Sequence, residues 1–514
     1  MTMNVRLMLK SSTAIVVSLC MAAFPSSAET LSEVIAYAYD NNPGLQAQRA
    51  AVRAADESYV QARAGYGLNI SAQAGETSYE IRRDGAKADA ITNSMSVTAV
   101  QPLYTGGRVR ARVSEAEAQI LAGREQLRRY EMDVMVRVVA AYAGVRRDEQ
   151  LLKIAQETVA VLQRGLEDTQ AKYDVRTVTL TDLAQSRARL SQARTQLFNA
   201  QEQLAATRSQ FLAVVGQNPG QLEPLPPLEQ LPASLDTAFD TAESHNPQLL
   251  GAQFNEQASR ARIARAKANG MPTVTARAEM QRSPYLPYQG DLYDDSRSAS
   301  VVFSQPIFSA GQIRSAIRQS VEENNRDRLS VEEVRLQLVS NVAQAWEHMA
   351  SLRQQLQTLQ EEVKSNELAF LGVRAEERYA LRSNIEILNA QAELNAAQQN
   401  LARAQTAEYV SRVQLLALTG TLTPQVLSDQ VETYDPKRNF KRVKYRGVTP
   451  LDVPVIILDA VGSLPTAKPR PASRLESRPQ GAEAQPTPAP PKPMTSVLDI
   501  IKKDPGATSL PPTQ

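Results

Sequence analysis

Cysteine is almost missing from this chain of 514 residues. The only one, Cys20, falls in an amino-terminal segment, residues 1–28, with the layout of an export signal. Arg6 and Lys10 precede the apolar run Thr13–Phe24, and Ser26 and Ala28 fill the small-residue positions of a cleavage site after Ala28. Removing that segment leaves no disulfide and no thiol chemistry. Leu19 is too bulky for a lipoprotein cleavage site before Cys20, so no lipid anchor is expected there. Histidine is as scarce: His245 and His348 stand far apart, with no second ligand at metal spacing. There is no phosphate-binding glycine loop, nucleophile elbow or cysteine pair. The expectation is a protein that is not an enzyme and needs no cofactor. An excess of one charge is also lacking, since 57 basic residues face 55 acidic ones for a net +2. Nothing draws the whole chain toward nucleic acid. Long apolar runs are absent too: Thr13–Phe24 is too short for a permanent membrane helix, and no later stretch qualifies. An exported chain of this kind is either soluble or crosses a membrane as strands. Aromatics make up only 5%. Ala, Gln, Arg, Glu and Leu dominate the middle, which suits long helices with thin seams better than one thick core.

What the chain does have is a repeat. QPLYTGGRVRARV from Gln101 returns as QPIFSAGQIRSAI from Gln305, and the surroundings return in step. NNP at Asn41–Pro43 matches HNP at His245–Pro247, an asparagine cap followed by a proline in the first helical turn. LNISAQAG from Leu68 matches PTVTARAE from Pro272, each alternating apolar and polar with period two. A second strand in each half runs up to the QP motif. Strands are therefore expected at about 68–81, 92–104, 272–283 and 297–308. IRRDGAKADAIT and RSPYLPYQGDLYDDS read as polar loops between them. At Pro102 and Pro306 the proline is expected to break the ladder, and Gly107 and Gly311 to release the chain into a helix.

Both halves then lack proline for roughly 65 residues, a helix on the order of 100 Å long. Leu127, Tyr130, Val134, Val138, Ala141 and Val145 repeat at steps of three and four, as do Val334, Leu338, Val342, Ala345, Met349 and Leu352. Tyr142 and Trp346, at matching places, read as seam aromatics. KYDVRTVTLTD and RYALRSNIEILN break these helices, and a returning helix ends near Gly216 or Gly420. The organisation is a signal at 1–28, a first repeat at 29–216, a proline-rich linker at 217–232 and a second repeat at 233–422. A tail at 423–464 carries the basic run KRNFKRVKYRG, expected to lie on an acidic helix surface, and a Pro/Ala-rich end at 465–514 is expected to be disordered.

Four strands cannot close a membrane barrel, for which about eight is the minimum. The chain must borrow strands from its own copies: two would supply eight, three would supply twelve. The alternative is a periplasmic coiled-coil scaffold without a pore. At this point the chain resembles the TolC-type outer-membrane efflux family, over about Thr30–Leu422, through the duplicated NP, QP-aromatic and tip-turn signals. The resemblance implies a mainly α fold with a β-barrel contribution: a homotrimer with a twelve-stranded barrel in outer-membrane lipid above a twelve-helix periplasmic tunnel. It implies a passive conduit opened by a periplasmic adaptor (membrane fusion protein) and an inner-membrane ABC or RND transporter. The cargo is protein in a type I secretion system or, alternatively, drugs. It also implies that the tail wraps the tunnel waist, and that Glu386 and Asn389 form the pore constriction, one turn apart on one helix face. Asp182, with Thr181 beside it, is matched to a latch reaching Tyr379 or Arg382. Val175, Arg176 and Leu381 fall in the tip turns that meet the adaptor. In the family a glycine usually stands where Arg176 does. Counted from Tyr173 and Tyr379, the second tip turn reads as two residues shorter than the first.

Overall fold

The computed structural model describes residues 29–83, 85–228, 231–286, 292–377, 379, 381–429 and 431–462. The expected signal, Cys20 and the Pro/Ala-rich end lie outside the described residues.

The first repeat consists of α1 (Leu31–Asn41), α2 (Pro43–Arg63), a 3-10 turn (Ala64–Tyr66), β1 (Asn69–Arg83), β2 (Ala86–Tyr104), α3 (Arg108–Asp174) and α4 (Leu180–Val215). The second consists of α5 (Leu235–His245), α6 (Pro247–Ala268), β3 (Thr273–Pro284), β4 (Tyr293–Ser304), α7 (Gln312–Glu377) and α8 (Asn384–Leu418). The tail adds α9 (Pro424–Leu427), α10 (Lys437–Val443) and α11 (Asp452–Gly462). Among the described residues no helix is long and apolar enough to cross a membrane.

The duplication extends to individual hydrogen bonds. Asn42 caps α2, and its amide donates to the Val214 carbonyl at 3.2 Å; Asn246 caps α6 and donates to Leu418 at 2.8 Å. Gln101 donates to the Tyr66 carbonyl at 2.9 Å, and Gln305 to that of Gly270 at 3.0 Å. The two asparagines tie a helix start to the end of the returning helix, and the two glutamines tie the end of the second strand to the segment before the first.

The four strands form one antiparallel sheet in the order β1-β2-β3-β4, with β1 and β4 at its open edges. The first hairpin is longer than the sequence pattern suggests. IRRDGAKADAIT is not a loop: Arg83 pairs with Ala86 across a turn holding Gly85 at φ 85°. An Asp-Gly pair favours such a tight hairpin, which lets both strands run on. Glu80 supports the extension, lying 2.7 Å from Arg82 and 3.4 Å from Lys87. The two QP motifs differ. Pro102 does not end its strand; it pairs with Thr275, a bulge follows, and β2 continues to Tyr104. β4 stops at Ser304, before Gln305 and Pro306, leaving Ile307 95% and Phe308 88% exposed. β2 is an interior strand whose neighbour holds it past the proline, whereas β4 is an edge with nothing beyond it. Gly107 and Gly311, at φ 80° and 84°, do release the chain into α3 and α7. Before them Gly106 has no room for a side chain, because a Cβ there would sit 2.7 Å from that of Met271.

The main core lies midway along the helices, where Leu31, Val34 and Ile35 of α1 meet Val138, Val139 and Tyr142 of α3, Phe211 of α4 and Val413 and Leu416 of α8. Tyr142 is fully buried, its hydroxyl 2.9 and 2.8 Å from the Glu29 and Glu223 carbonyls, which binds the linker to the waist. A smaller core gathers Phe239, Leu249, Leu338, Val342 and Met349, with Trp346 against its edge. Beyond the core, the fully buried Asp148, held by its neighbour Arg147 at 2.7 Å, joins α3 to α4 through Thr207 at 2.5 Å. Burial opposes its charge, but these hydrogen bonds win and hold its carboxyl below the usual carboxylate range.

The seam is unequally covered. α3 packs against α2, α4, α6 and α8 and buries residues from Val109 to Thr169. Among the described residues α7 packs chiefly against α5, α6 and α8, and leaves Leu329, Leu336, Leu368 and Leu371 54–73% exposed. The tail goes beyond the waist. α9 lies on α1, α10 on α2, and α11 reaches the 3-10 turn, β2 and α3. The basic run docks largely through neutral groups, with Lys444 facing Glu117: Asn439 donates to Asp56 at 2.9 Å, Phe440 meets the Tyr59 ring edge-on at 5.1 Å, and Val443 is buried. Lys437, Arg438, Lys441 and Arg442 stay exposed, and Asp56 faces Arg124 of α3 at 3.6 Å.

Candidate functional site

The far end of the two hairpins gathers the expected gate residues. α3 ends in a Schellman motif: Thr177 N–H donates to the Lys172 carbonyl at 3.0 Å and Arg176 N–H to that of Tyr173 at 2.9 Å. Arg176 therefore occupies a left-handed position, φ 62°, which costs a residue with a Cβ about 1–2 kcal/mol. Arg176→Gly is expected to raise local stability by about 1 kcal/mol, measured as slower amide exchange around Tyr173–Thr177.

The two tip turns keep the spacing of the rest of the repeat. Thr179 caps α4 and Ser383 caps α8, and the interval from each cap to Gly216 or Gly420 is the same. No residues are missing from the second turn. The apparent shortening came from matching Tyr173, which is helical, with Tyr379, which lies beyond the end of α7. In the structural register Asp182 corresponds to Glu386, each at the third position of its helix. Asp182 accepts from Thr179 Oγ1 at 2.7 Å and Thr179 N at 3.0 Å, which pulls its carboxyl below the usual range. Glu386 accepts from Ser383 N at 3.1 Å.

Within one chain the latch residues do not meet. Neither Tyr379 nor Arg382 bonds to Asp182. Arg382 reaches Glu376 at 2.8 Å and Glu386 at 3.7 Å; the Glu376 hydrogen bond, then its charge, holds the guanidinium firmly protonated. Thr181 is exposed on α4, next to Asp182. The hairpins are instead clasped by contacts that sequence reasoning missed, one of them made by Asn389, which was expected in the pore constriction. Lys172 Nζ lies 2.5 Å from Glu377 and 2.9 Å from Asp168, and hydrogen bonding to Glu377 and then Asp168 pushes its pKa above the ordinary value. Asn384 donates to Ser186 at 3.0 Å, and Arg189 donates to Asn389 at 3.2 Å. Their only sequence signal is polarity at a helix end, which does not identify partners. At the very tip Val175, Leu180, Tyr379 and Leu381 are 64–79% exposed, an apolar set on an otherwise polar end.

The sheet at the other end has two unlike faces. One carries Ile70, Ala99, Ala278 and Ala299 in a single row, with Val97, Met280, Val301 and Phe303 in rows beside it. Charges enter this face at Glu76, Arg282, Asp295 and Arg297, toward the hairpin turns. The other face carries Ser71, Gln73, Ser96, Thr98, Thr275, Arg277, Glu279, Ser298 and Ser300. One face suits hydrocarbon and the opposite one suits water. Among the described residues no cluster of His, Cys, Asp and Glu has the arrangement of a metal site.

The comparisons agree with this geometry. The model of the outer membrane efflux protein family matches residues 34–217 and 238–421, the two structural repeats. The outer membrane efflux protein BepC of Brucella suis is 29% identical over 420 residues, covering 81% of this chain and 91% of BepC. TolC of Escherichia coli is 24% identical over 433 residues, 80% of this chain and 87% of TolC. The crystal structure of CusC superposes with a TM-score of 0.67 at 20% identity, over 76% of this chain and 92% of CusC. A pore-free scaffold is thereby ruled out, and this chain belongs to the outer membrane efflux protein family, as a non-enzymatic transport channel of the outer membrane.

Proposed function

We propose that three copies close the sheet and the helical seam into one conduit, the outer-membrane part of a tripartite export system. The observation that carries this reading is the set of open edges: among the described residues β1 and β4 are unpaired along their outer sides, and α7 leaves Leu329, Leu336, Leu368 and Leu371 bare. Three copies of a four-stranded sheet bring twelve strands and join β4 of one copy to β1 of the next. The apolar face then meets outer-membrane lipid, and the serine- and threonine-rich face lines the pore. The bare Val175, Tyr379 and Leu381, with Arg176 beside them, are the surface offered to a periplasmic adaptor, which brings an inner-membrane ABC or RND transporter.

At the tip, the Lys172–Glu377 clasp holds the hairpins together within each copy. Asp182 and Arg382 are left to act between neighbouring copies, around a ring in which Glu386 is the charged position and Asn389 the neutral one. Arg382 offsets part of that charge at 3.7 Å. Glu386→Gln is expected to weaken block of the channel by polyvalent cations, and Arg382→Ala to strengthen it, read from single-channel currents in planar bilayers. Equal block in both variants counts against the ring.

For the cargo, protein secretion through an ABC transporter is supported by a 21% identity to the alkaline protease secretion protein AprF of Pseudomonas aeruginosa, over 62% of this chain. The higher identity to BepC, an efflux protein by name, supports drug efflux as the second reading. A deletion strain decides between them. Loss of a secreted protein with unchanged drug sensitivity is expected; drug hypersensitivity with an intact secreted set establishes the second reading.

A further inference from the structure

Helix α11 is inside out. Its inward stripe, Asp452, Val455 and Asp459, is 3%, 2% and 0% exposed. Its outward side, Val453, Ile456, Ile457, Leu458 and Val461, is 39–86% exposed and carries no charge. A helix facing water does the reverse. The buried acids explain how the helix is held. Asp459 accepts from Thr105 N at 3.0 Å, Thr105 Oγ1 at 2.9 Å, Gly107 N at 3.0 Å and Tyr66 Oη at 3.2 Å. It thereby fills the backbone donors exposed where β2 turns into α3. Asp452 accepts from Thr449 Oγ1 at 2.7 Å and Thr449 N at 3.0 Å. Val455 packs on Tyr66 and Val109.

We propose that α11 is a membrane-embedded strap, its outward face immersed in the acyl chains of the periplasmic leaflet of the outer membrane. Position is the first support: α11 touches β2 and the 3-10 turn at the base of the sheet, beside the apolar strand face that begins with Leu68 and Ile70, 41% and 65% exposed. The order of the preceding residues is the second. The exposed bases Lys437, Arg438, Lys441 and Arg442 come first, then Tyr445 at 71% exposure with Arg446 beside it, then the apolar helix. Base, aromatic and aliphatic follow one another as headgroup, interface and hydrocarbon do along a leaflet. α10 keeps the bases on α2, below the sheet, where anionic headgroups lie once the sheet is in the bilayer. Among the described residues the second repeat has no such strap, and Gln305–Phe308 lies exposed at the junction that matches the one held by Asp459.

The strap rests on the assignment of the apolar sheet face to lipid, and its test separates the two. In a Cys20→Ser background, single variants Ile457→Cys, Val461→Cys, Ile70→Cys and Phe198→Cys are labelled with an environment-sensitive fluorophore. The assembled protein is then placed in phosphatidylethanolamine/phosphatidylglycerol vesicles with brominated acyl chains. Loss of fluorescence at Ile457 and Val461 equal to that at Ile70, with none at Phe198 on α4, is expected. Quenching at Ile70 without quenching at Ile457 and Val461 overturns the strap alone. No quenching at Ile70 either overturns both it and the lipid-facing sheet. A disulfide-linked dimer of the Ile457→Cys/Ile307→Cys double variant also overturns the strap, and gives the face to the bare second junction of a neighbouring copy.

Discussion

Ala99→Arg is expected to remove the protein from the outer-membrane fraction and abolish any heat-modifiable oligomer on gels, while Thr98→Arg leaves both intact. The two positions are adjacent on β2 and equally central in the sheet, so strand propensity and hydrogen bonding are nearly shared. They differ in face. Ala99 sits in the row Ile70–Ala99–Ala278–Ala299, and Thr98 lies between Ser71 and Glu279 on the polar side. An arginine at mid-depth against lipid costs about 2–4 kcal/mol. Three copies bring the total to about 6–12 kcal/mol, the size of a whole domain's stability. On the polar face the same side chain meets water and the Glu279 carboxylate. Equal behaviour of the two variants would mean that the apolar face is not the lipid face.

Lys172→Ala is expected to shift the tunnel tip toward its open state, seen as a larger fraction of time at high conductance in planar bilayers. The Lys172–Glu377 pair is partly exposed, 37% and 22% at the two side chains, so solvent screens it and each copy is worth only about 0.7 kcal/mol. Three clasps broken together total about 2 kcal/mol, a shift of about thirtyfold in the closed-to-open ratio. The charge-swapped double variant Lys172→Glu/Glu377→Lys should restore closure. Arg129→Ala should change nothing, since its partner Asp133 lies 4.0 Å away on the same helix. Because the folded state raises the Lys172 pKa, the clasp is fully present below the ordinary lysine pKa. It is lost only as pH rises through the raised value.

Sequence alone determined the duplication, the strand faces, the long proline-free helices and the lack of catalytic chemistry. Each of these is written locally: in the period of apolar residues, in Asn-Pro caps, and in glycines at left-handed turns such as Gly107 and Gly311. It also located the tip, in the breaks KYDVRTVTLTD and RYALRSNIEILN, where Thr179 and Ser383 cap the returning helices. The tertiary structure decided what meets what. Asp182 reads as a latch but turns one oxygen, Oδ2, to its own helix cap, while Lys172, an unremarked helix-end lysine, crosses to Glu377. Pro102 reads as a strand end, yet a neighbouring strand carries β2 past it. The tail is the clearest case. Asp459 and the aliphatic residues around it form an ordinary amphipathic pattern whose phase says which residues share a side, but not which side faces in. Only the unfilled donors at Thr105 and Gly107 turn the acid inward and leave the hydrophobic residues outside. A pattern fixes faces; the partner that satisfies each face comes from residues far along the chain, and no local period encodes it.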